Sequence, residues 1–383
     1  MGPQLTIDSL VADVESDPRL TGLVDDGLSA RLGAMVDSVN AAVANAPGLY
    51  AAAQAQLGGV LRRRLALAAD RRDFPAIATE RIEQPIFVVG FPRTGTTLLH
   101  ALLAEAPETR APRLWEVRNP SPPPGPEETE AARIALGDID AREWCATIPG
   151  LMTAHPYFDK GGRVIVEDEE IMALDFQSAY PTWYAKLPVV LLGVTTSDPS
   201  SGYRFHHQFL QHLQWCRPSQ RWALKGTTHQ FLLETLWSEY PDARCIWAHR
   251  DPAETYASLL ELNSLVNVGL AGHVDRPALA EAMLADIQAS LDHTLASPVL
   301  DDPRLAHVRY VDLVADPIGT IERVYAHWGL AWTAEHGARM RRWLDDPGSR
   351  SDRHGKFRYS LEPFGLDESG VRKRFSGYID RFL

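Results

Sequence analysis

The stretch VVGFPRTGTT, Val88 to Thr97, sets two glycines, one arginine and three threonines between an apolar run and a leucine-rich segment. Gly90 and Gly95 have the spacing of the glycines in a Walker A phosphate loop, and Thr97 fills its final Ser/Thr place. The lysine place holds Thr96, and the nearby cation, Arg93, comes three residues earlier. A glycine loop opening a helix still offers unpaired N–H groups and the positive end of the helix dipole. Thr94, Thr96 and Thr97 add hydroxyl donors. That set suits a terminal phosphate or a sulfonate. It suits a Mg²⁺-dependent NTPase poorly, because the lysine is absent and the strand-like CIWAH runs into Arg250 rather than into paired carboxylates.

A second basic stretch, CIWAHRDPAETYAS, places Arg250 just after an apolar run. Asp251, Pro252 and Glu254 read as an N-cap, a first-turn proline and a capping-box acid. Ser258 follows Arg250 by eight residues. An arginine and a hydroxyl near a helix start make a second phosphate site, apart from the first. The triplet HRD also occurs in kinases, but neither G-x-G-x-x-G nor D-F-G accompanies it.

These loops need strands to carry them. PIFVVGF is a short apolar run of the kind buried in a parallel sheet, and Leu98, Leu99, Leu102 and Leu103 share a helix face after it. Strand and helix alternate again from residue 216 onward. RWALKG, ARCIWAHR and LAHVRYVDL read as strands, and QFLLETLWSEYP, PAETYASLLELN and DPIGTIERVYAHWGL as helices. Alternation of this kind predicts an α/β fold, a parallel sheet flanked by helices, with ligands outside the carboxyl ends of the strands. Those ends are Gly90–Thr97, Lys225–His229 and His249–Asp251. Residues 1–84 read as a helical segment, a packing layer or homo-oligomer contact without site chemistry. The Pro-rich, then acidic, stretch 120–130 reads as an exposed connection, and 120–215 as a helical insert shaping a pocket. Trp183 and Tyr184 are candidates for its lining.

The chain has 383 residues, 45% hydrophobic and 23% charged, an ordinary globular balance. Its net charge of −12 argues against nucleic acid or an anionic membrane as main partner. An anionic ligand then needs a local Arg/Lys cluster. Cys145, Cys216 and Cys245 have no metal spacing and read as reduced, mostly buried thiols of a cytoplasmic protein. Neither a secretion signal nor a bilayer-length apolar run is present, so stable membrane insertion is not expected.

Two anion motifs without Mg²⁺ machinery resemble those of the PAPS-dependent sulfotransferases, in their bacterial branch. FPRTGTT looks like that family's loop for the 5′-phosphosulfate, and WAHRDPAETYAS like its 3′-phosphate motif. VRYVDLVADP looks like its Tyr-x-Asp-Leu…Asp-Pro element, at Tyr310, Asp312, Asp316 and Pro317. RHGKFRYSLEPFGL looks like its closing segment. The resemblance spans roughly residues 85–383. It implies the P-loop-NTPase-like sulfotransferase fold, with PAPS as co-substrate, no metal, and a hydroxyl of a small molecule or lipid as acceptor. Arg93, Thr94, Gly95, Thr96 and Thr97 would hold the 5′ end, and Arg250, Ser258, Arg353, Gly355 and Lys356 the 3′-phosphate. Arg93 would also stabilise charge on the bridging oxygen without a metal.

Several side chains compete as the base for the acceptor proton. Cytosolic-type members use a histidine just after a strand-end lysine; here Lys225 is followed by His229, two residues late. Lys225 remains a sulfonate contact. Tyrosylprotein-type members use a glutamate after the first helix, and Glu116, beside Trp115, falls near that place and is the first choice. Its alternative role is to order a loop or to pair with Arg93. His155 and Glu169 rank next, as acceptor-site residues, while the run Glu167–Glu170 otherwise reads as a solvated helix start. His206 and His207 read as packing. A P-loop kinase or NTPase, and a non-catalytic nucleotide-binding member of the family, are the competing readings.

Overall fold

The structure, a computed structural model, describes residues 4–44, 47–178, 180–181, 198–218 and 220–383. Trp183 and Tyr184 lie outside the described residues. Five parallel strands form the central sheet: β1 (Ile86–Val89), β2 (Thr109–Arg110), β3 (Arg221–Lys225), β4 (Arg244–His249) and β5 (Leu305–Arg309), in the spatial order β2-β3-β1-β4-β5. β1 is central, flanked by β3 (Val88 opposite Lys225) and by β4 (Val89 opposite Trp247).

The inner strands β3, β1 and β4 are buried on both faces, which explains why they read as nearly unbroken apolar runs. Phe87, Val89, Trp222, Leu224, Cys245 and Trp247 point into one core layer, beneath the helices Pro199–Trp215, Pro252–Ala271 and Arg276–Leu295. Their sequence neighbours Ile86, Val88, Ala223, Ile246 and Ala248 point to the other. There they meet Leu99, Leu102 and Leu103 of the helix Thr96–Ala104, and the helices Pro317–His327 and Ala334–Asp345.

The stretch LAHVRYVDL is not strand throughout. β5 stops at Arg309, and Tyr310–Ala315 is a short helix. Pairing with β4 ends there, at His249 opposite Arg309, and Asp312 turns back to bind the Arg309 guanidinium at 2.9 Å. β2, two residues long at the sheet edge, carries too short a pattern to be read from sequence. Of the cysteines, Cys245 is buried, Cys145 half-buried and Cys216 exposed, so burial of most thiols does not hold.

The N-terminal helices Ile7–Val14, Asp26–Val43 and Tyr50–Asp73 share a separate apolar cluster that also takes in Phe176. Asp175 locks this layer to the rest. Fully buried, it accepts from Arg64 at 2.7 Å and pairs with Arg31 at 2.8 Å. It directly follows the helix Asp168–Leu174, so the layer braces a helix that enters the site described next.

Candidate active site

The loop Gly90–Gly95 leaves β1 and starts the helix Thr96–Ala104, whose N-cap, Gly95, has no side-chain cap. Gly90 and Gly95 sit at φ 129° and 96°. A Cβ on Gly90 would lie 2.8 Å from the Ala248 carbonyl oxygen, and one on Gly95 2.9 Å from the Leu313 side chain. Both positions therefore require glycine. Arg93 also has a positive φ, 73°, which is strained for a residue with a side chain.

Three contacts hold Arg93 in that conformation. Its Nε donates to Ser258 Oγ at 2.9 Å, and its Nη1 to the Ala154 carbonyl at 3.1 Å. Its own carbonyl accepts from Arg250 Nη1 at 2.9 Å. Arg93 thus meets Arg250 and Ser258, more than 150 residues away in sequence, at the carboxyl ends of the neighbouring strands β1 and β4. Burial pulls the Arg93 guanidinium below its usual pKa, and Arg250 beside it acts in the same direction. An anion between these two cations would relieve both effects.

Aromatic side chains complete the basic site. Arg250 lies over the Tyr310 ring at 4.3 Å and donates to the Tyr359 hydroxyl at 3.2 Å. Arg93 lies 5.4 Å from the Phe357 ring. Tyr310 was visible in the VRYVDL element; Phe357 and Tyr359 were hidden as alternate residues of KFRYS. The closing segment does reach the loop, but through these rings. Arg353 is instead committed to Asp159, at 2.6 and 2.7 Å, and Lys356 is exposed. Gly355, at φ 100°, makes the turn between them. Glu254 does not cap its helix: Asp251 caps Ala253 N at 2.8 Å, and Glu254 binds Arg250 at 2.6 Å.

A cavity of about 750 Å³ opens beside the loop, bounded on that side by Pro92 and Thr97. Lys225 and His155 line it, with Glu167, Glu169 and Glu170. The acidic run is not a solvated helix start, because each of its members is paired. Glu167 binds Lys225 Nζ, Asp168 binds His229 and His206, and Glu170 binds Arg118. Glu169 Oε1 accepts from Thr227 N at 2.8 Å and Thr228 N at 3.3 Å. Burial, with Glu167 next to it, raises the Glu169 pKa. The partners come from segments far along the chain, which is why the run looked solvated in isolation.

His229 is buried with both ring nitrogens engaged: Nδ1 with the Tyr203 hydroxyl at 2.7 Å, Nε2 with Asp168 Oδ2 at 3.0 Å. The ring lines the cavity with both nitrogens tied to these neighbours. His206 joins the same network through Tyr240 at 2.8 Å, and His207 binds Glu239 at 2.7 Å.

Glu116, the first choice as base, is also structural. Fully buried, it does not line the cavity. It binds Arg110 and Arg217 (3.2 Å), and its Oε2 accepts from Arg113 N at 2.9 Å at the start of its own short helix. The ordering role weighed for it from sequence is the one its contacts support. Glu116→Ala is expected to destabilise the fold by about 3–5 kcal/mol, by leaving the buried Arg110 guanidinium without its carboxylate. Chemical denaturation measures this, and affinity for adenosine 3′,5′-bisphosphate should be unchanged in the folded variant.

His155 occupies a different setting. Half-buried in the cavity wall, it follows directly on Ala154, whose carbonyl Arg93 holds. Burial, reinforced by Arg93, lowers its pKa to about 4. The imidazole is neutral at physiological pH.

The sequence profile of the sulfotransferase family matches residues 85–334, which run from the start of β1 past β5. The chain belongs to the sulfotransferase family. Its overall fold is similar to crystal structures of two mycobacterial sulfotransferases. STF9 from Mycobacterium avium is 28% identical, with a TM-score of 0.79 over 98% of this chain and 96% of that one. STF1 from Mycobacterium tuberculosis H37Rv is 25% identical, with a TM-score of 0.75 over 97% and 99%. A characterised relative from Mycobacterium tuberculosis and Mycobacterium bovis is the omega-hydroxy-beta-dihydromenaquinone-9 sulfotransferase Stf3. It is 26% identical over 282 residues, 69% of this chain and 67% of its own. Among the described residues of this sulfotransferase, no helix is long and apolar enough to cross a membrane, and no cluster of metal-binding side chains occurs.

Proposed function

We propose that this sulfotransferase moves the sulfonate of PAPS to a hydroxyl of a small-molecule or lipid acceptor, by direct in-line transfer without a metal. The observation that carries this reading is the convergence of Arg250 and Ser258 on Arg93, each bonded to it at 2.9 Å, next in the chain to the cavity-lining Pro92 and Leu259. The donor site fits a nucleotide with two separate anionic groups. The uncapped helix start with Thr96 and Thr97 suits the 5′ end, and Arg250 with Ser258 suits the 3′-phosphate. Glu254 is more than half exposed, so release from Arg250 into water costs little.

PAPS would supply a sulfonate on a stabilised phosphate leaving group. Arg93 would neutralise the charge that the bridging oxygen gains as its bond to sulfur breaks. Lys225, on the strand next to the loop, would orient the sulfonate. His155 would take the proton from the acceptor hydroxyl as its oxygen bonds to sulfur. Glu167, bound to Lys225, holds that ammonium in place. A lipid acceptor is supported by the apolar part of the cavity wall, with Leu151, Phe158, Leu259, Leu262 and Val266. The menaquinone derivative in the relative's name points the same way.

The test is transfer from radiolabelled PAPS, in EDTA, to a panel of hydroxylated lipids and small alcohols. Transfer without metal is expected. Tight binding of adenosine 3′,5′-bisphosphate with no transfer to any acceptor would favour a nucleotide-binding member without catalysis.

A further inference from the structure

The wall of the cavity carries an arginine cluster outside the donor site. Arg110, Arg113, Arg163 and Arg217 all line it. Two carboxylates serve these four guanidiniums. Glu116 is bound by Arg110 and Arg217, and Glu127, from the Pro-rich connection, lies 2.9 Å from Arg163, 3.6 Å from Arg113 and 4.0 Å from Arg217. Four positive and two negative charges leave the cluster at +2. Glu108, the carboxylate that precedes β2, is held by Arg221 at 3.3 Å and His336 at 3.0 Å and does not offset it. Burial opposes ionisation of Glu127, but Arg113, Arg163 and Arg217 outweigh it and hold its carboxyl below the usual range.

The chain itself measures the distance from this cluster to the reactive end. Arg163, Val164, Ile165, Val166 and Glu167 all line the same cavity. The segment between is extended: Leu114 N donates to Val164 O at 2.9 Å, and Val166 N to Pro112 O at 3.0 Å. Four extended residues span at most about 13–14 Å. Glu167 is bound to Lys225 at the loop end. The cavity is therefore bipolar, with a hydroxyl-activating end and a guanidinium end whose backbone positions, Glu167 and Arg163, lie at most about 13–14 Å apart.

We propose that the acceptor is an amphiphile bearing an anionic head, carboxylate or phosphate, which the Arg113–Arg163–Arg217 cluster binds, and its reactive hydroxyl at the opposite end. This rests on the sulfotransferase reading above and names the class of its acceptor. A guanidinium fork matches either head bidentately, and two uncompensated charges accept it without an external counterion. The net acidity of the chain does not oppose this, because the cluster is local.

The test is calorimetric, on the full chain saturated with adenosine 3′,5′-bisphosphate. Three ligands of one chain length, about a dozen carbons to match the span, are compared: an ω-hydroxy fatty acid, the ω-hydroxyalkyl phosphate and the diol. The better anionic ligand should bind on the order of tenfold more tightly than the diol, and the ranking of the two heads identifies the group. Arg163→Gln combined with Arg217→Gln should remove that preference and leave diol affinity unchanged. Equal affinities for acid, phosphate and diol, no binding of any of them, or a preference that survives the double substitution would overturn the proposal. Failure of the bisphosphate itself to bind would instead overturn the donor site.

Discussion

Arg93→Ala is expected to lower kcat for sulfonate transfer by about 10²–10³-fold and to weaken binding of adenosine 3′,5′-bisphosphate. Both effects have the same origin. Arg93 is the cation of the loop, and its backbone is held at positive φ by bonds to Ser258, Ala154 and Arg250. Removing the side chain deletes the charge aimed at the leaving oxygen and also unties the two halves of the anion site. Arg93→Lys separates these contributions. It keeps the charge but lacks the planar fork that reaches Ser258 and Ala154 together, so part of the rate should return. Equal bisphosphate affinity in wild type and Arg93→Ala would remove Arg93 from the donor site.

The second large effect is expected at His155. His155→Asn should reduce kcat by about 10²–10⁴-fold, the usual contribution of a positioned base, while bisphosphate affinity stays near that of wild type. The pH profile provides the sign. Burial and Arg93 depress the imidazole pKa to about 4 in the free protein, so the base is neutral above that pH and is lost as pH falls through it. The parameter kcat/KM for the donor should therefore hold level from neutral pH down to about pH 5 and drop below. Anions bound to Arg93 and Lys225 cancel the cations that depress His155. The acid limb of kcat should consequently lie at higher pH than that of kcat/KM. A His155→Asn enzyme with full activity would move the base assignment to another group in the cavity wall.

Sequence carried the donor half of the site further than the acceptor half, for physical reasons. The loop, the Arg250-to-Ser258 spacing and the strand–helix alternation are local patterns, set by backbone geometry within a dozen residues. They appear in the structure at β1, β4 and the helices that follow them. The acceptor half is built from long-range pairing. Glu116 and the run Glu167–Glu170 have meaning only once Arg110, Arg217, Lys225, His229 and Thr227 are folded against them. Proximity to a strand end made His229 a candidate base, yet Tyr203, from a helix earlier in the chain, occupies the nitrogen that Asp168 leaves free. His155 stood out only as one histidine among several, because its link to Arg93 runs through the backbone carbonyl of its neighbour. The Asp175 anchor to Arg31 and Arg64 was equally silent, since nothing local in the N-terminal helices indicates which helix they brace.

The most direct test of the central claim is calorimetric titration of the protein with adenosine 3′,5′-bisphosphate in EDTA, beside ATP with and without Mg²⁺. A metal-free donor site held by Arg93, Arg250 and Ser258 predicts tight bisphosphate binding that EDTA leaves untouched, and ATP binding that Mg²⁺ does not improve. Mg²⁺-dependent ATP binding with no affinity for the bisphosphate would contradict it.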